Sequence, residues 1–167
     1  MRGRVLDNER VTVTSAGLLP YRVAGGGLSV FIGHFGGPLW ARKDAGAWTI
    51  VKGEYAVALG DPWRAACREF TEETGAAVPP GEPICLGELT VSRKRVTAYA
   101  ILVVDELSFV ASNPFPLEWP PRSGHVMEVP ELDRAEWFDI EEAREKLVPG
   151  QRPFLDHLCA HIGQPHP

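Results

Sequence analysis

The order of apolar and polar residues predicts β-strands in the first half of the chain. Two β-rich runs surround three consecutive glycines, Gly25 to Gly27, and this arrangement predicts a hairpin over residues 16–34. Later runs of the same kind predict further strands at 48–52, 84–92, 96–104 and 134–138.

Helical periodicity is clearest from Pro62 to Thr74. Asp61 suits the N-cap, Pro62 suits the first helical position, and Gly75 suits the residue that ends the helix. Two further helices are predicted at 140–147 and 152–162. Strands interspersed with a few helices predict an α+β or α/β fold, with helices packed on a mixed sheet.

The length of the chain, 167 residues, suits one domain. We expect a single domain over residues 11–162, with a flexible N-terminus at 1–10 and a flexible tail at 163–167. A proline-rich stretch predicts a long loop over 112–124, which either forms a wall of a substrate pocket or covers a sheet edge.

Charge and cysteine content exclude several classes of function. The formal net charge is −5, whereas a groove for duplex nucleic acid usually needs a basic excess. The three cysteines, Cys67, Cys85 and Cys159, stand too far apart in sequence for a zinc motif or a disulfide framework. No apolar run is long enough to span a membrane and no signal peptide is visible, so a cytoplasmic protein is predicted. The sequence is compatible with a homodimer.

Three acids share one face of the predicted helix at 62–74. Glu69, Glu72 and Glu73 fall within an arc of about 100°, opposite a stripe that can anchor the helix in a core. Like charges at this spacing repel, so a divalent cation is an obvious compensation. Carboxylates without nearby histidine or cysteine favour Mg²⁺ or Mn²⁺ over zinc, and such a metal supports attack of water on phosphorus. The alternative is a solvated acidic face of no catalytic significance.

The sequence around these acids resembles the Nudix box, G-x5-E-x7-R-E-U-x-E-E-x-G-U, where U is apolar. The second half of the box corresponds to residues 68–76, Arg-Glu-Phe-Thr-Glu-Glu-Thr-Gly-Ala. The strand and glycine that open the box correspond to residues 48–54, Trp-Thr-Ile-Val-Lys-Gly-Glu. Downstream, Glu131 precedes Trp137 and Phe138 by a few residues, similar to a segment that follows the sheet in the family. The chain thus resembles the Nudix (MutT-like) hydrolases over roughly residues 15–162.

The resemblance implies a Nudix fold, in which a mixed sheet is sandwiched between helices. It also implies a pyrophosphohydrolase that uses Mg²⁺ or Mn²⁺ to cleave a phosphoanhydride bond. The small-molecule substrate would be a nucleoside diphosphate derivative, of the nucleoside triphosphate or dinucleoside polyphosphate class. Glu69 and Glu73 would be metal ligands, and Glu72 would be a ligand or the base that activates water.

Four other residues acquire roles from the same resemblance. Arg68 would position one of the glutamates, and Gly53 would shape the loop that follows the strand. The carbonyl of Lys52 would be a further metal ligand. Glu131 is the candidate for an extra acid that some members of the family supply from a loop.

The first half of the box departs from the family pattern. The segment between Gly53 and Arg68 is one residue longer than the pattern, and residues 56–60, Ala-Val-Ala-Leu-Gly, lack the first box glutamate. Glu54 could swing in to replace it. The departure predicts a weakened enzyme, and the alternative is a Nudix-fold module that binds a nucleotide without hydrolysing it.

Basic residues outside the box are candidates for binding the substrate phosphates. Arg42 and Lys43 precede the box strand, while Arg93 and Arg95 lie at the tip predicted between two strands. Either pair could bind phosphate by charge or form an ordinary solvated turn.

Overall fold

A seven-stranded mixed sheet forms the centre of the computed structural model, which describes residues 13–163. Five strands lie in the order β3-β2-β1-β6-β5, while β4 pairs with β1 and β9 pairs with β2. The strands of this sheet are β1 (Val13–Ala24), β2 (Gly27–Phe35), β3 (Trp48–Thr49), β4 (Val51–Glu54), β5 (Ile84–Val91), β6 (Lys94–Leu102) and β9 (Leu132–Asp139). A separate two-stranded ribbon contains β7 (Pro114–Glu118) and β8 (Val126–Pro130).

The predicted hairpin is confirmed as β1 and β2, which pair antiparallel up to Ala24 and Gly27. Gly25 and Gly26 form its turn with positive φ values of 59° and 79°, a conformation that glycine adopts without strain. The open ends of the hairpin diverge, and residues 48–54 lie between them. This segment pairs first with β2 and then with β1, so the single strand predicted at 48–52 is divided at Ile50.

Three α-helices cover the two faces of the sheet, as the predicted sandwich requires. Helix α1 (Pro62–Thr74) packs on β1 and β4, while α2 (Ile140–Lys146) and α3 (Pro153–Ile162) pack on the other side. Neighbouring residues of β1 therefore pack in different hydrophobic cores. Leu18 packs in the core that contains Phe70 of α1, and Leu19 packs in the core that contains Phe154 of α3.

The local signals for helix α1 are confirmed in detail. The Asp61 side chain accepts a hydrogen bond from the Arg64 N–H at 3.1 Å, and Pro62 begins the helix. Gly75 ends it in the left-handed conformation with φ 71°, and its N–H donates to the carbonyl of Thr71. These signals determine the residues at which the helix begins and ends, but they do not determine which of its faces packs on the sheet.

Two expectations for the loops are corrected. The stretch at 112–124 is not a simple loop, because Pro114–Glu118 pairs with Val126–Pro130. A two-stranded ribbon tolerates its prolines since each strand has a free edge that needs no N–H donor. Arg93 and Arg95 are both predicted at the tip between two strands, but Arg95 lies within a strand. Ser92 and Arg93 make the turn with positive φ, and β6 begins at Lys94.

The predicted flexible segments at 1–10 and 163–167 lie outside the described residues, except for Gly163, which ends α3. Within residues 13–163, no helix is both long and apolar enough to cross a membrane.

The two left-handed glycines that end α1 and α3 predict different costs for an added methyl group. A Cβ at Gly75 would lie 2.9 Å from the Cβ of Val110, whereas a Cβ at Gly163 would meet nothing within 4 Å among residues 13–163. Gly163→Ala should therefore lose about 1 kcal/mol of unfolding free energy from backbone strain alone. Gly75→Ala should lose about 2 to 4 kcal/mol because the clash adds to the strain. Chemical denaturation of both variants measures the difference, and equal losses would contradict the contact with Val110.

Candidate active site

Helix α1 comes very close to strand β4 where Gly53 faces Glu69. A Cβ added to Gly53 would collide with the carboxylate of Glu69, so a larger residue there would force this carboxylate out of its present position. Gly17 on β1 is also tight, since a Cβ there would lie 2.8 Å from the side chains of both Ile50 and Lys52. Gly53 faces the helix and leaves space for the Glu69 carboxylate, whereas Gly17 faces the neighbouring segment of the sheet.

Two of the three helix acids are buried, although the sequence placed them opposite the core-facing stripe. Glu69 is 9% exposed and Glu73 is 7% exposed, while Glu72 is half-buried. The helix lies on the sheet with Ala65, Ala66 and Phe70 beneath it, and Glu69 and Glu73 border that contact. The acids therefore point into a junction between helix, strand and loop, not into open solvent.

Glu73 makes a short hydrogen bond with a residue from a distant part of the chain. The hydroxyl of Ser112 donates to Glu73 Oε2 at 2.6 Å, and the Ser112 oxygen accepts from the Leu132 N–H at 3.1 Å. Burial nevertheless raises the pKa of Glu73 from 4.5 to about 7, because the Ser112 bond only partly offsets desolvation. The charges of Glu131, Glu69 and Glu72 raise this pKa further.

Glu131 and Lys52 belong to the same electrostatic group. Desolvation raises the pKa of Glu131. The charge of Lys52 lowers this pKa, and the charge of Glu69 raises it further. Burial lowers the pKa of Lys52, while Glu131 and Glu69 partly restore it. The structure therefore brings Glu131, which is remote in sequence, to the acids of α1 and places the Lys52 ammonium beside them.

Arg68 pairs with two of the acids on its own helix. Its guanidinium lies 2.7 Å from a Glu69 carboxylate oxygen and 3.7 Å from one of Glu72. The Glu69 bond raises the pKa of Arg68, so the cation remains charged. Arg68 orients Glu69 from the solvent side, and Gly53 limits its position from the strand side.

A scan of family models matches a NUDIX domain over residues 20–158. The chain belongs to the Nudix family. No curated protein matches its sequence.

Solved structures of Nudix proteins share the fold. An Ap4A hydrolase from C. elegans, solved as a binary complex, is 20% identical, with a TM-score of 0.59 over 89% of this chain and 98% of that chain. The NUDIX domain of NrtR from Shewanella oneidensis, solved with ADP ribose, is 10% identical, with a TM-score of 0.62 over 92% and 90% of the two chains. The Nudix hydrolase RenU from M. smegmatis is 17% identical, with a TM-score of 0.55 over 90% and 86%.

The loop that departs from the Nudix box contains no acid that faces the cluster. Glu54, which the sequence offered as a replacement, forms an ion pair with Lys94 of β6 at 2.8 Å. Gly60 has open space where a side chain would begin, and the Val57 and Leu59 side chains are largely exposed. The loop forms a short 3-10 turn over Val57–Leu59 and contributes apolar surface in place of a carboxylate.

The basic residues suggested for substrate binding lie in two places. Arg42 and Lys43 are exposed in the segment between β2 and β3, where the Lys43 ammonium lies 5.0 Å from the centre of the Trp40 ring. Arg93 is exposed in the β5–β6 turn, and Arg95 makes two hydrogen bonds to Glu88 at 3.0 and 3.1 Å. Arg95 is thus already paired within the sheet, whereas the first pair lies on a separate turn.

The donor set suits a hard divalent cation. Within the described residues, no three acidic, histidine or cysteine side chains are close enough together to form a ready-made metal site. Carboxylate oxygens are the preferred ligands of Mg²⁺, however, and Glu73 is a buried acid for which the described residues supply no ion pair. The residues present therefore fit such an ion, with Arg68 and Lys52 as the cations beside it.

Two residues in this region carry no signal that sequence reasoning could use. Ser112 lies 39 positions from Glu73, inside the stretch expected to be a loop, and no motif marks it. Nothing in the sequence links Lys94 to Glu54, because their pairing depends on strand register across β1.

The raised pKa of Glu73 predicts how metal-free stability depends on pH. Because the folded protein holds this proton more tightly than the unfolded chain, the stability it contributes is fully present below about pH 4.5 and is lost as pH rises through about 7. Glu73→Gln should remove this loss, at most about 3 kcal/mol, so the variant should exceed the wild type at pH 8 but not at pH 4. Urea denaturation across this range measures it, and a constant difference between the two proteins would contradict the assignment.

Proposed function

We propose that this protein is a divalent-metal-dependent pyrophosphohydrolase, a hydrolase that cleaves a phosphoanhydride bond in a nucleoside diphosphate derivative. The observation that carries the proposal is the burial of Glu69 and Glu73 beside Glu72 and Glu131. Burying several like charges is costly unless something compensates them. A cation with hard oxygen ligands compensates them, and it is also what water attack on a phosphoanhydride needs.

Glu69 and Glu73 are the proposed metal ligands for Mg²⁺ or Mn²⁺, with the Lys52 carbonyl as a further one. When bound, such a metal neutralises phosphate charge and favours the attacking water. Glu72 is half-buried and so keeps contact with solvent, which suits either a ligand or the base that accepts a proton from water.

The remaining site residues act on these acids. Arg68 fixes the orientation of Glu69 through its 2.7 Å contact, and Gly53 leaves room for that carboxylate. Glu131 approaches from the segment between β8 and β9, and its pKa is raised mainly by burial and further by the charge of Glu69. It is the candidate for the additional acid that binds metal or activates water.

The substrate is a nucleotide whose phosphates meet basic side chains. Arg42, Lys43, Arg93 and Arg95 are the proposed phosphate contacts, with Arg95 the weakest of them because Glu88 already pairs with it. Nucleoside triphosphates and dinucleoside polyphosphates are the preferred classes. One structural relative is an Ap4A hydrolase and another was solved with ADP ribose, so both kinds of ligand belong in a test.

The altered loop favours a second candidate function. The first box glutamate is expected near residue 59 or 60, where the chain has Leu59 and Gly60, and Glu54 pairs with Lys94 at 2.8 Å. A Nudix-fold module that binds a nucleotide without turnover has no need of that acid. Such a module also has no need of the three crowded acids on α1, which is why hydrolysis is preferred.

A hydrolysis screen with mass-spectrometric product detection separates the two. The panel contains nucleoside triphosphates, dinucleoside polyphosphates, ADP-ribose-like compounds and sugar nucleotides, each with Mg²⁺ or Mn²⁺. We expect turnover of at least one member, and a loss of about 100-fold or more in Glu73→Gln, because a ligand carboxylate is removed.

Glu82→Gln is the matched control, since it removes one negative charge from an exposed loop residue outside the site. It should leave turnover unchanged. No turnover anywhere in the panel, together with a nucleotide that raises the melting temperature, would instead support the binding module.

A further inference from the structure

We infer that Ser112 is a positioning residue that holds the Glu73 carboxylate for metal binding, an inference that rests on the proposed function. Ser112 comes from the segment between β6 and β7, outside the Nudix box. Its hydroxyl donates to Glu73 Oε2 at 2.6 Å, the one side-chain hydrogen bond that the structure gives this acid within the described residues.

The Ser112 hydroxyl is itself fixed by a second bond. Its oxygen accepts from the Leu132 N–H at 3.1 Å, so the hydroxyl proton is directed away from that backbone group and toward Glu73. One hydrogen bond already restricts the rotation of a serine hydroxyl, and a second partner at its acceptor site restricts it further. Among residues 13–163, only one of the two Glu73 oxygens has a hydrogen-bond partner, which leaves the other available to a cation.

Backbone hydrogen bonds tie the residues around Ser112 to the end of helix α1. The N–H of Val110 donates to the Thr74 carbonyl at 2.8 Å, and the N–H of Asn113 donates to the Glu72 carbonyl at 3.1 Å. Asn113 in turn accepts from the N–H of Glu131 at 3.1 Å. Residues 110–113, which we name the clamp segment, therefore connect the acids of α1 to Glu131.

The clamp segment gives Ser112 a fixed position relative to the acids. A hydroxyl on a mobile loop would lose entropy each time it met Glu73, but here the backbone contacts have already placed it. Loss of this hydroxyl should release the Glu73 side chain while the helix itself stays in place. Outer-shell partners of metal ligands typically change metal affinity by about 10- to 100-fold when removed.

Thr74 supplies a closely matched control. Its hydroxyl is buried at the same end of α1, donates to the Phe70 carbonyl at 2.6 Å and accepts from the Ala76 N–H at 3.1 Å. Thr74→Val thus removes a donor and an acceptor like those of Ser112, but it touches no candidate ligand. Ser112→Ala is the test variant, and Ser112→Thr restores the hydroxyl.

Mn²⁺ affinity measured by electron paramagnetic resonance is the first readout. Ser112→Ala should weaken Mn²⁺ binding by about 10-fold or more, Ser112→Thr should recover most of it, and Thr74→Val should leave it unchanged. In a Glu73→Gln background, Ser112→Ala should cause no further loss, because its effect passes through Glu73. Equal losses in Ser112→Ala and Thr74→Val, or additive losses with Glu73→Gln, would overturn the inference.

A readout without metal distinguishes this inference from the proposed function. Side-chain ¹³C relaxation of Glu73 in the metal-free protein should show greater mobility in Ser112→Ala than in wild type or Thr74→Val. Wild-type protein that neither binds Mn²⁺ nor hydrolyses any nucleotide would refute the proposed function. Unchanged mobility of Glu73 in Ser112→Ala would refute the inference that Ser112 positions this acid. That conclusion would not depend on which nucleotide the wild type hydrolyses.

Discussion

The close packing of helix α1 on the box strand is the contact on which the rest of the site depends. Gly53 lets the helix approach so near that the Glu69 carboxylate occupies the space of a missing side chain. The same approach removes Glu69 and Glu73 from water, and their neighbours Glu72 and Glu131 increase the electrostatic cost. Burying like charges in this way reduces stability, as expected where a fold is arranged for function at some cost to itself.

Arginine, lysine and serine side chains moderate this cost without cancelling it. Arg68 reaches Glu69 from the solvent side, and Lys52 opposes the charge of Glu131. Glu73 has the Ser112 hydroxyl, which is neutral, and its pKa remains raised to about 7. The clamp segment explains why the β7–β8 ribbon matters to the site, since its two ends join that segment and Glu131. Residues that are remote in sequence therefore lie together at the end of α1.

Local signals predicted the parts of this fold that depend on near neighbours in the chain. The limits of α1 follow from caps within a few residues, and the first hairpin follows from its glycine turn. The burial of Glu69 and Glu73 could not be predicted, because helical spacing shows which residues share a face but not how deeply that face packs. Ser112 could not be predicted either, since a hydrogen bond across 39 positions leaves no pattern. The β7–β8 ribbon was missed because its prolines are unfavourable in the interior of a sheet, while a free edge accepts them.

The central claim is that the buried acids of α1 form a site for a divalent cation, and unfolding free energy measured against Mg²⁺ or Mn²⁺ concentration tests it most directly. A cation that binds only the folded state stabilises it progressively with concentration, by about 2.7 kcal/mol at 100 times its dissociation constant. We expect the unfolding free energy of the wild type at pH 8 to rise with metal concentration. This rise should be lost in a protein with both Glu69→Gln and Glu73→Gln. Wild-type stability that does not respond to either metal, or responds equally in the double variant, would contradict the account.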